Sequence, residues 1–326
     1  MTLRLRAALA VVMAAFATHA LAQAAFPSKP LRIIVPFPPG GAVDPLVRAL
    51  ASGMTGRLGQ TVIAENRPGA TGTVGMNACA KSAADGYTLC FVTSDGMTVI
   101  PALGAPLPFD VEKDFQPVTL LGTSKPVLVA SAGSPFDSFK GLVASAQANP
   151  GKVNFGTFGE GGSSHQLLEA IQHGAGIKFT NVPYKGTGPA LQAAVAGEVD
   201  LALSILPVVL PHIQSGRLKP ILVIARGRLP ALPNVPTYAD ESLPLVRPTW
   251  FGIVAPAGVP ADTLARLHEA IASLLHDKDW RERFMRDDSY EVSGDGPQEF
   301  ARFLVHSRAD GKAMAELLRA SGYRPQ

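Results

Sequence analysis

The sequence predicts an α/β fold made of two sheet domains that are joined by two crossing segments. Strand and helix patterns alternate through most of the chain after residue 30, as they do in α/β proteins. One device, a strand that ends in a glycine-rich loop before a helix, occurs twice, at Arg32–Pro45 and Val153–Gln166. Proline-rich stretches at Ser124–Pro126 and Leu243–Pro248 mark two places where the chain would pass between the domains.

The predicted strands and helices divide between two lobes, and the first lobe is built from two separate parts of the chain. If the chain leaves the first lobe at the first proline seam and returns at the second, lobe 1 comprises residues 23–124 and 248–326, and lobe 2 comprises residues 125–247. The βαβα order implies a largely parallel sheet. The tail from Pro260 to Ser321 is expected to be mostly helical. The other predicted strands are Leu31–Val35, Val62–Glu65, Tyr87–Thr93, Val127–Ser131, Val153–Gly156, Val199–Leu203, Pro220–Ala225 and Phe251–Ala255, and the other predicted helices are Pro45–Leu58, Gly75–Ala84, Phe139–Ala148, a helix that ends at His173, and Pro189–Ala196.

The first residues have the pattern of a cleavable export signal. Arg4 and Arg6 precede an apolar, alanine-rich run that ends in the A-x-A site Ala20-Leu21-Ala22. The run is shorter than the roughly 20 residues that span a bilayer. Residues 1–22 are therefore predicted to be a signal peptide rather than a membrane anchor.

Composition argues against several classes of partner. Removing Arg4 and Arg6 from the 29 basic residues leaves 27, against 26 acidic residues, and no basic stripe suggests a nucleic-acid partner. The chain has no nucleotide-binding fingerprint and no His or Cys spacing typical of a metal site, so no cofactor and no metal are expected. Export allows a disulfide between Cys79 and Cys90, but we interpret them as two small buried residues.

The loop of the first device is a candidate anion site. Gly40 and Gly41 allow close approach of the backbone, and the N–H groups at a helix start attract an anion. A rigid strand-to-helix turn explains the loop equally well, and Asp44 before Pro45 suits a helix N-cap. The predicted ligand contacts in this loop are Pro38, Pro39, Gly40, Gly41, Ala42, Val43 and Asp44.

The loop of the second device offers hydroxyl donors as well as glycines. Ser163 and Gln166 have the spacing of a capping box. Ser164 beside His165 suggests a hydrolase, but the chain has no G-x-S-x-G elbow, and His165 is expected at the pocket rim or in a cap. The predicted contacts are Thr157, Phe158, Gly159, Gly161, Gly162, Ser163, Ser164 and His165.

Two further loops are expected at the same edge of the sheets, Thr93–Met97 after a strand and Val182–Pro189 before a helix. Ligands of open α/β sheets lie beyond the carboxyl ends of the strands, and all four loops satisfy that rule. These loops add Ser94, Asp95, Tyr184, Gly186 and Thr187 to the predicted contacts.

Several ordered motifs across residues 29–260 resemble those of the periplasmic solute receptors of tripartite tricarboxylate transporters, the Bordetella uptake gene (Bug) family. The resemblance covers the whole chain after the signal peptide. The motifs are Lys29–Asp44, Glu65–Gly75, Asp85–Leu89, Phe155–His165, Val182–Ala190, Leu210–Pro220, Leu232–Thr237 and Trp250–Pro260.

The resemblance implies a two-lobe periplasmic-binding-protein, or Venus-flytrap, architecture. It implies that the protein is a periplasmic monomer, closes on a small organic carboxylate and delivers it to the permease subunits of a membrane transporter. In the family, the two loops matched by Pro38–Val43 and Thr157–Ser164 bind the carboxylate through backbone N–H groups and bridging waters. Where the family often places Asp-Asn after a strand, and that acid can contact a ligand ammonium, this chain has Ser204-Ile205. Both residues are predicted contacts, and a ligand without an ammonium group is expected.

Two other functions compete with transport. A sensory adaptor would bind the same ligand and present it to a membrane kinase, and sequence does not separate this role from transport. An exported hydrolase would use Ser164 or His165, but it lacks an elbow, an orienting acid at recognisable spacing and a metal site. The sequence therefore predicts a binding protein rather than an enzyme.

Overall fold

The structure is a computed structural model that describes residues 26–41, 43–104, 106–159, 161–243 and 247–323. The predicted signal peptide, residues 1–22, lies outside this part of the chain. Within the described part, no helix combines the length and the apolar character needed to cross a lipid bilayer.

Strands and helices alternate along the chain. The strands are β1 (Leu31–Val35), β2 (Val62–Asn66), β3 (Thr88–Thr93), β4 (Phe115–Ser124), β5 (Pro126–Ser131), β6 (Asn154–Thr157), β7 (Thr180–Pro183), β8 (Leu201–Ile205), β9 (Leu218–Val223), β10 (Trp250–Pro256) and β11 (Tyr290–Asp295). The helices are α1 (Asp44–Leu58), α2 (Thr73–Ala80), α3 (Ile100–Ala102), α4 (Phe139–Ala148), α5 (Ser163–Ala175), α6 (Thr187–Ala196), α7 (Leu206–Gln214), α8 (Ala261–His276), α9 (Lys278–Phe284) and α10 (Pro297–Ala320).

The strands form two mixed sheets, one in each lobe. The order is β11-β4-β10-β3-β1-β2 in lobe 1 and β7-β6-β8-β5-β9 in lobe 2. Strand β1 is parallel to β2 and β3, whereas β10 is antiparallel to β3 and β4. In lobe 2, β6 is parallel to β7 and β8, whereas β5 is antiparallel to β8 and β9. The two-lobe α/β prediction is confirmed. The prediction of a largely parallel sheet is wrong, because strands next to the crossings run against their neighbours.

Local sequence explains where the elements near the cleft begin and end. Strand β1 is almost entirely buried and stops before Pro36, which has no N–H to donate to a sheet. Helix α1 ends at Gly59, whose φ of 68° lies in the left-handed region that suits glycine. Helix α4 begins after Ser138, whose hydroxyl accepts the N–H of Gly141 at 3.3 Å. The loop after β1 therefore opens at the carboxyl edge of the sheet.

The chain crosses between the lobes at two adjacent places. It passes from β4 to β5 through Lys125 and returns between β9 and β10. Residues 244–246 of the second predicted seam lie outside the described residues. The two crossings lie side by side, because the N–H of Ser124 donates to the carbonyl of Thr249 at 2.8 Å. The boundaries at residues 124 and 248 stay a prediction.

Each sheet has its own buried core, and helix α10 contributes to both. The first half of α10 places Phe300 and Leu304 in one cluster with Trp250 of lobe 1. Its last turns place Leu317 and Leu318 in the core of lobe 2. The helix is therefore a third link between the lobes, made by packing rather than by the course of the chain.

Cys79 of α2 and Cys90 of β3 form a disulfide. Their Cα atoms are 6.2 Å apart, within the usual range for such a bond. Both residues are buried, as expected, but their interpretation as unpaired cysteines is wrong. The pairing depends on the packing of α2 against β3, which a sequence spacing does not reveal.

Candidate ligand-binding site

A cavity of about 210 Å³ lies between the two lobes, at the carboxyl ends of strands from both sheets. Its walls are mostly apolar. Its polar side chains come from the loops after β3, before α5 and before α6, and from Ser204 of β8 and Ser124 and Thr249 at the crossings. Of the predicted contacts, the cavity is lined by Pro38, Pro39, Gly40, Gly41, Val43, Asp95, Phe158, Gly162, Ser163, Gly186, Thr187, Ser204 and Ile205.

Other predicted contacts are not among the described residues that line this cavity. Ala42 lies outside the described residues, and Ser94 lines an adjoining cavity of about 230 Å³. The remaining predicted residues that are absent from the lining are Asp44, Thr157, Gly159, Gly161, Ser164, His165 and Tyr184. The N–H of Gly188, which the sequence also offers as a donor before a helix, belongs to a residue of the lining. Lining residues that sequence reasoning missed are Phe37, Thr93, Ser124, Pro126, Lys185, Pro189, Leu203, Thr249 and Phe251.

The lobes are closed around the cavity. A methyl group added at Gly186 of lobe 2 would lie 3.6 Å from Cγ of Pro38 in lobe 1. One added at Gly188 would lie 3.9 Å from the carbonyl oxygen of Gly40. The loop after β1 and the loop before α6 therefore face each other with room for little more than a methyl group between them at these two points.

The side chain of Asp44 stabilises the loop after β1. Its carboxylate accepts the N–H of Gly40 at 3.1 Å, Nε of Arg48 at 3.0 Å and Nδ2 of Asn66 at 2.8 Å. Burial on its own would raise the pKa of Asp44, but these bonds outweigh it and lower the pKa. Helix α1 begins at Asp44 with Val43 as its N-cap, so the predicted N-cap role of Asp44 is wrong. Its carboxylate instead shapes the loop.

The second loop uses several of its own N–H groups. The N–H of Phe158 donates to the hydroxyl oxygen of Ser164 at 2.9 Å, and the N–H of Gly161 donates to Nδ1 of His165 at 3.1 Å. Both acceptor residues are buried. These bonds fix the shape of the loop, so these two N–H groups already have partners and are not open to an anion.

The N-terminus of α5 is occupied by a carboxylate of the protein itself. Asp95, which follows β3 in lobe 1, accepts the N–H of Ser163 at 2.9 Å and Nε2 of Gln166 at 3.1 Å. Gln166 also donates to the carbonyl of Gly161 at 2.7 Å. The predicted capping box is therefore wrong, because the Gln166 amide donates to Gly161 of the loop and to Asp95 instead. Burial raises the pKa of Asp95 to about 6.

The N-terminus of α6 is open by comparison. The N–H groups of Thr187 and Gly188 have no partner among the described residues, and both residues line the cavity. The hydroxyl of Ser204 is buried beside the same cavity and is also without a hydrogen-bond partner in this part of the chain. Exposed Lys185 adds a positive charge at the cavity. These groups form an unfilled set of donors for an anion.

Two α/β lobes that close on a small cavity with unpartnered donors define the class of periplasmic solute-binding proteins. The family model described as "Tripartite tricarboxylate transporter family receptor" matches residues 46–318. The chain therefore belongs to this family of periplasmic solute receptors, which confirms the resemblance seen in its motifs.

Three relatives illustrate the match. Protein BugT of Bordetella pertussis is 37% identical over 259 residues, which cover 78% of each chain. The solved structure of R. palustris Rpa4515 with adipate has a TM-score of 0.84 at 28% identity and covers 90% of this chain and 98% of that one. MatC from Rhodopseudomonas palustris with bound malate has a TM-score of 0.81 at 29% identity and covers 89% of this chain and 100% of that one.

Proposed function

We propose that this receptor captures a small organic carboxylate between its lobes and delivers it, without converting it, to the permease subunits of a tripartite tricarboxylate-type transporter. Residues 1–22 would direct the protein to the periplasm, where it would act as a monomer. The observation that carries the proposal is the set of unpartnered donors in the closed cavity. The adipate and malate bound by two related structures support the ligand class, and family membership supports the delivery step.

The carboxylate would bind at the start of α6. Thr187 and Gly188, whose N–H groups are open, and Ser204, whose hydroxyl has no partner among the described residues, line the same cavity. A buried hydroxyl without a partner costs about 1–3 kcal/mol, and an anionic oxygen would remove that cost. The loop after β1, which belongs to the other lobe, would cover the bound carboxylate. The N-terminus of α5 is less suited, because the carboxylate of Asp95 already occupies it.

The ligand would lack an ammonium group and carry an apolar or aromatic body. Asp95 is the only acidic side chain among the described residues of the cavity wall, and each of its oxygens already accepts a hydrogen bond from lobe 2. An ammonium enclosed without an available acceptor would not recover its desolvation cost. Apolar side chains such as Phe37, Phe158 and Phe251 would instead contact the ligand body.

Catalysis by Ser164 and His165 is disfavoured. Ser164 is fully buried and lies outside the cavity wall. Its oxygen accepts the N–H of Phe158, and Nδ1 of His165 accepts the N–H of Gly161. Both side chains therefore serve the loop, and neither is in position to attack a ligand.

Calorimetric titration against monocarboxylic, dicarboxylic, aromatic and amino acids tests the proposal. We expect 1:1 binding of at least one acid without an ammonium group and no chemical change in it. Ser204→Ala should weaken that binding by about tenfold, since a hydrogen bond to a charged group contributes about 1.5–3 kcal/mol. Ser215→Ala, which changes an exposed serine of the same lobe, is the control. Tightest binding of an amino acid would contradict the proposed ligand class. Equal affinity in the Ser204 variant and the parent protein would contradict the proposed binding position at the start of α6.

A further inference from the structure

Asp95 joins the two lobes by its side chain alone. It follows β3 of lobe 1, while its hydrogen-bond donors, the Ser163 N–H and the Gln166 amide, belong to the first turn of α5 in lobe 2. The residue is 8% exposed. A carboxylate at the start of a thirteen-residue helix also gains from the positive end of the helix dipole.

Neighbouring residues fix Asp95 to lobe 1. A methyl group added at Gly96 would lie 2.7 Å from Sδ of Met76 in α2, so the backbone here is packed tightly on that helix. Met97 is buried in the same cluster of lobe 1. Only farther along the chain do Val99 and Leu103 enter the core of lobe 2. The Asp95 carboxylate therefore belongs to lobe 1 and reaches across the cleft.

No cation pairs with this carboxylate among the described residues. Lys185 lines the same cavity, and Arg247, His306 and Asp310 line the adjoining cavity together with Ser163 and Gln166. Ion pairs of the described residues include one between Arg247 and Asp310 at 3.6 Å, but none with Asp95. The carboxylate is therefore held by lobe 2 hydrogen bonds rather than by a counter-ion.

We propose that Asp95 is an interlobe latch, a positioning residue whose carboxyl group accepts hydrogen bonds from the first turn of α5 when the lobes close and so stabilises the closed state before any ligand arrives. Opening of the cleft would separate Asp95 from Ser163 and return both to water. The latch concerns the ligand-free protein, so its test is independent of the proposed carboxylate ligand.

Protonation adds a pH dependence to the latch. The pKa of Asp95 rises to about 6 in the closed protein because of burial, whereas in the open, solvated cleft it should approach the ordinary value of 3.8. The closed state thus binds a proton more tightly than the open state. Linkage therefore favours closure as the pH falls through about 6, and this contribution is lost as the pH rises above it.

The closed fraction of the ligand-free full chain tests the proposal. It can be measured by small-angle scattering and by a distance probe between the lobes, from pH 5 to pH 8. We expect Asp95→Ala to lower the ratio of closed to open protein at pH 5 by on the order of tenfold, with a smaller effect at pH 8, and Asp95→Asn to remove the rise in closure at low pH. Gln166→Ala, which removes one lobe 2 donor, should shift the ratio in the same direction by less.

Asp200→Asn is the matched control, because Asp200 accepts the N–H of Asn154 at 2.8 Å within lobe 2 alone. It should leave the closed fraction unchanged. If Asp95→Ala lowers thermal stability but leaves the closed fraction as in the parent at every pH, the contact is merely structural and the latch is refuted. If Asp95→Ala does not fold, the Asn and Gln166 variants decide by the same criterion.

Discussion

Asp44 shows how far a single residue can be interpreted from its neighbours in sequence. Its position before Pro45 predicted a helix N-cap, and the helix does begin there. The structure gives its carboxylate a different task, because Arg48 approaches from the next turn and Asn66 from β2. Arg48 is within reach of a helical pattern. Asn66 is brought close only by the pairing of β1 with β2, which no local pattern contains.

Replacement of this carboxylate should destabilise the first loop. We expect Asp44→Asn to lower the free energy of unfolding by about 1–3 kcal/mol at pH 7, since buried donors would lose a charged acceptor. The pKa of Asp44 is lowered in the folded protein, so its contribution is present above the ordinary pKa and is lost as the pH falls below it. Denaturant unfolding at pH 7 and pH 3 should show the difference shrinking.

Asp137→Asn is the control, because Asp137 is exposed. It should change the free energy of unfolding by less than about 0.5 kcal/mol. If the Asp44 and Asp137 variants change the free energy of unfolding equally, or if the effect of Asp44→Asn does not depend on pH, the carboxylate of Asp44 does not stabilise the loop.

Helices and strands whose bounds are marked by nearby residues were predicted correctly from the sequence. Strands that form only by pairing with a strand far away in the sequence were not. Strand β1 and helix α4 have the predicted bounds. Strand β4 was missed because Pro117 and Gly122 interrupt its apolar pattern. It exists because β10 and β11 pair with its two edges. Strand β11 was hidden in a tail expected to be mostly helical, and it too is held by its pairing with β4.

Gly122 gives this pairing a sharp test. Its φ of 141° lies in the region that favours glycine, and an added Cβ would collide with the carbonyl oxygen of Glu291 in β11. We expect Gly122→Ala to lower the free energy of unfolding by about 3 kcal/mol or more. Gly227→Ala is the control, because a Cβ there would meet no atom within 4 Å. Similar melting temperatures for the two variants would mean that β11 can leave the sheet without cost.

At the scale of the whole molecule, the sequence located the cleft but not its open donors. The rule that loops gather at the carboxyl ends of strands correctly brought the loops of both lobes together. The N–H of Gly188 was among the expected donors, but the sequence did not show that the start of α6 is open while the start of α5 is occupied. The start of α5 is filled by Asp95, which lies 68 residues earlier in the chain than Ser163. The open set at α6 depends on Ser204, whose lack of a partner is a property of packing alone.

Helix α10 should make the two lobes unfold together. It has buried residues in both cores, and Leu318 is completely buried in the core of lobe 2. Leu318→Ala should cost about 2–5 kcal/mol, mostly from lobe 2, and should separate the two unfolding transitions. Both tryptophans of the chain, Trp250 and Trp280, pack in clusters of lobe 1. Tryptophan fluorescence therefore reports on lobe 1, whereas far-ultraviolet circular dichroism reports on both lobes.

The two signals should coincide in the parent protein, as expected for a single cooperative transition. In Leu318→Ala, circular dichroism should begin to change at a lower denaturant concentration than fluorescence, because lobe 2 would unfold first. Val305→Ala, at an exposed position of the same helix, should keep the signals coincident. Coincident signals in the Leu318 variant would show that the other links, namely the chain crossings beside Ser124 and the packing of Val99 and Leu103 in the core of lobe 2, couple the lobes without help from α10.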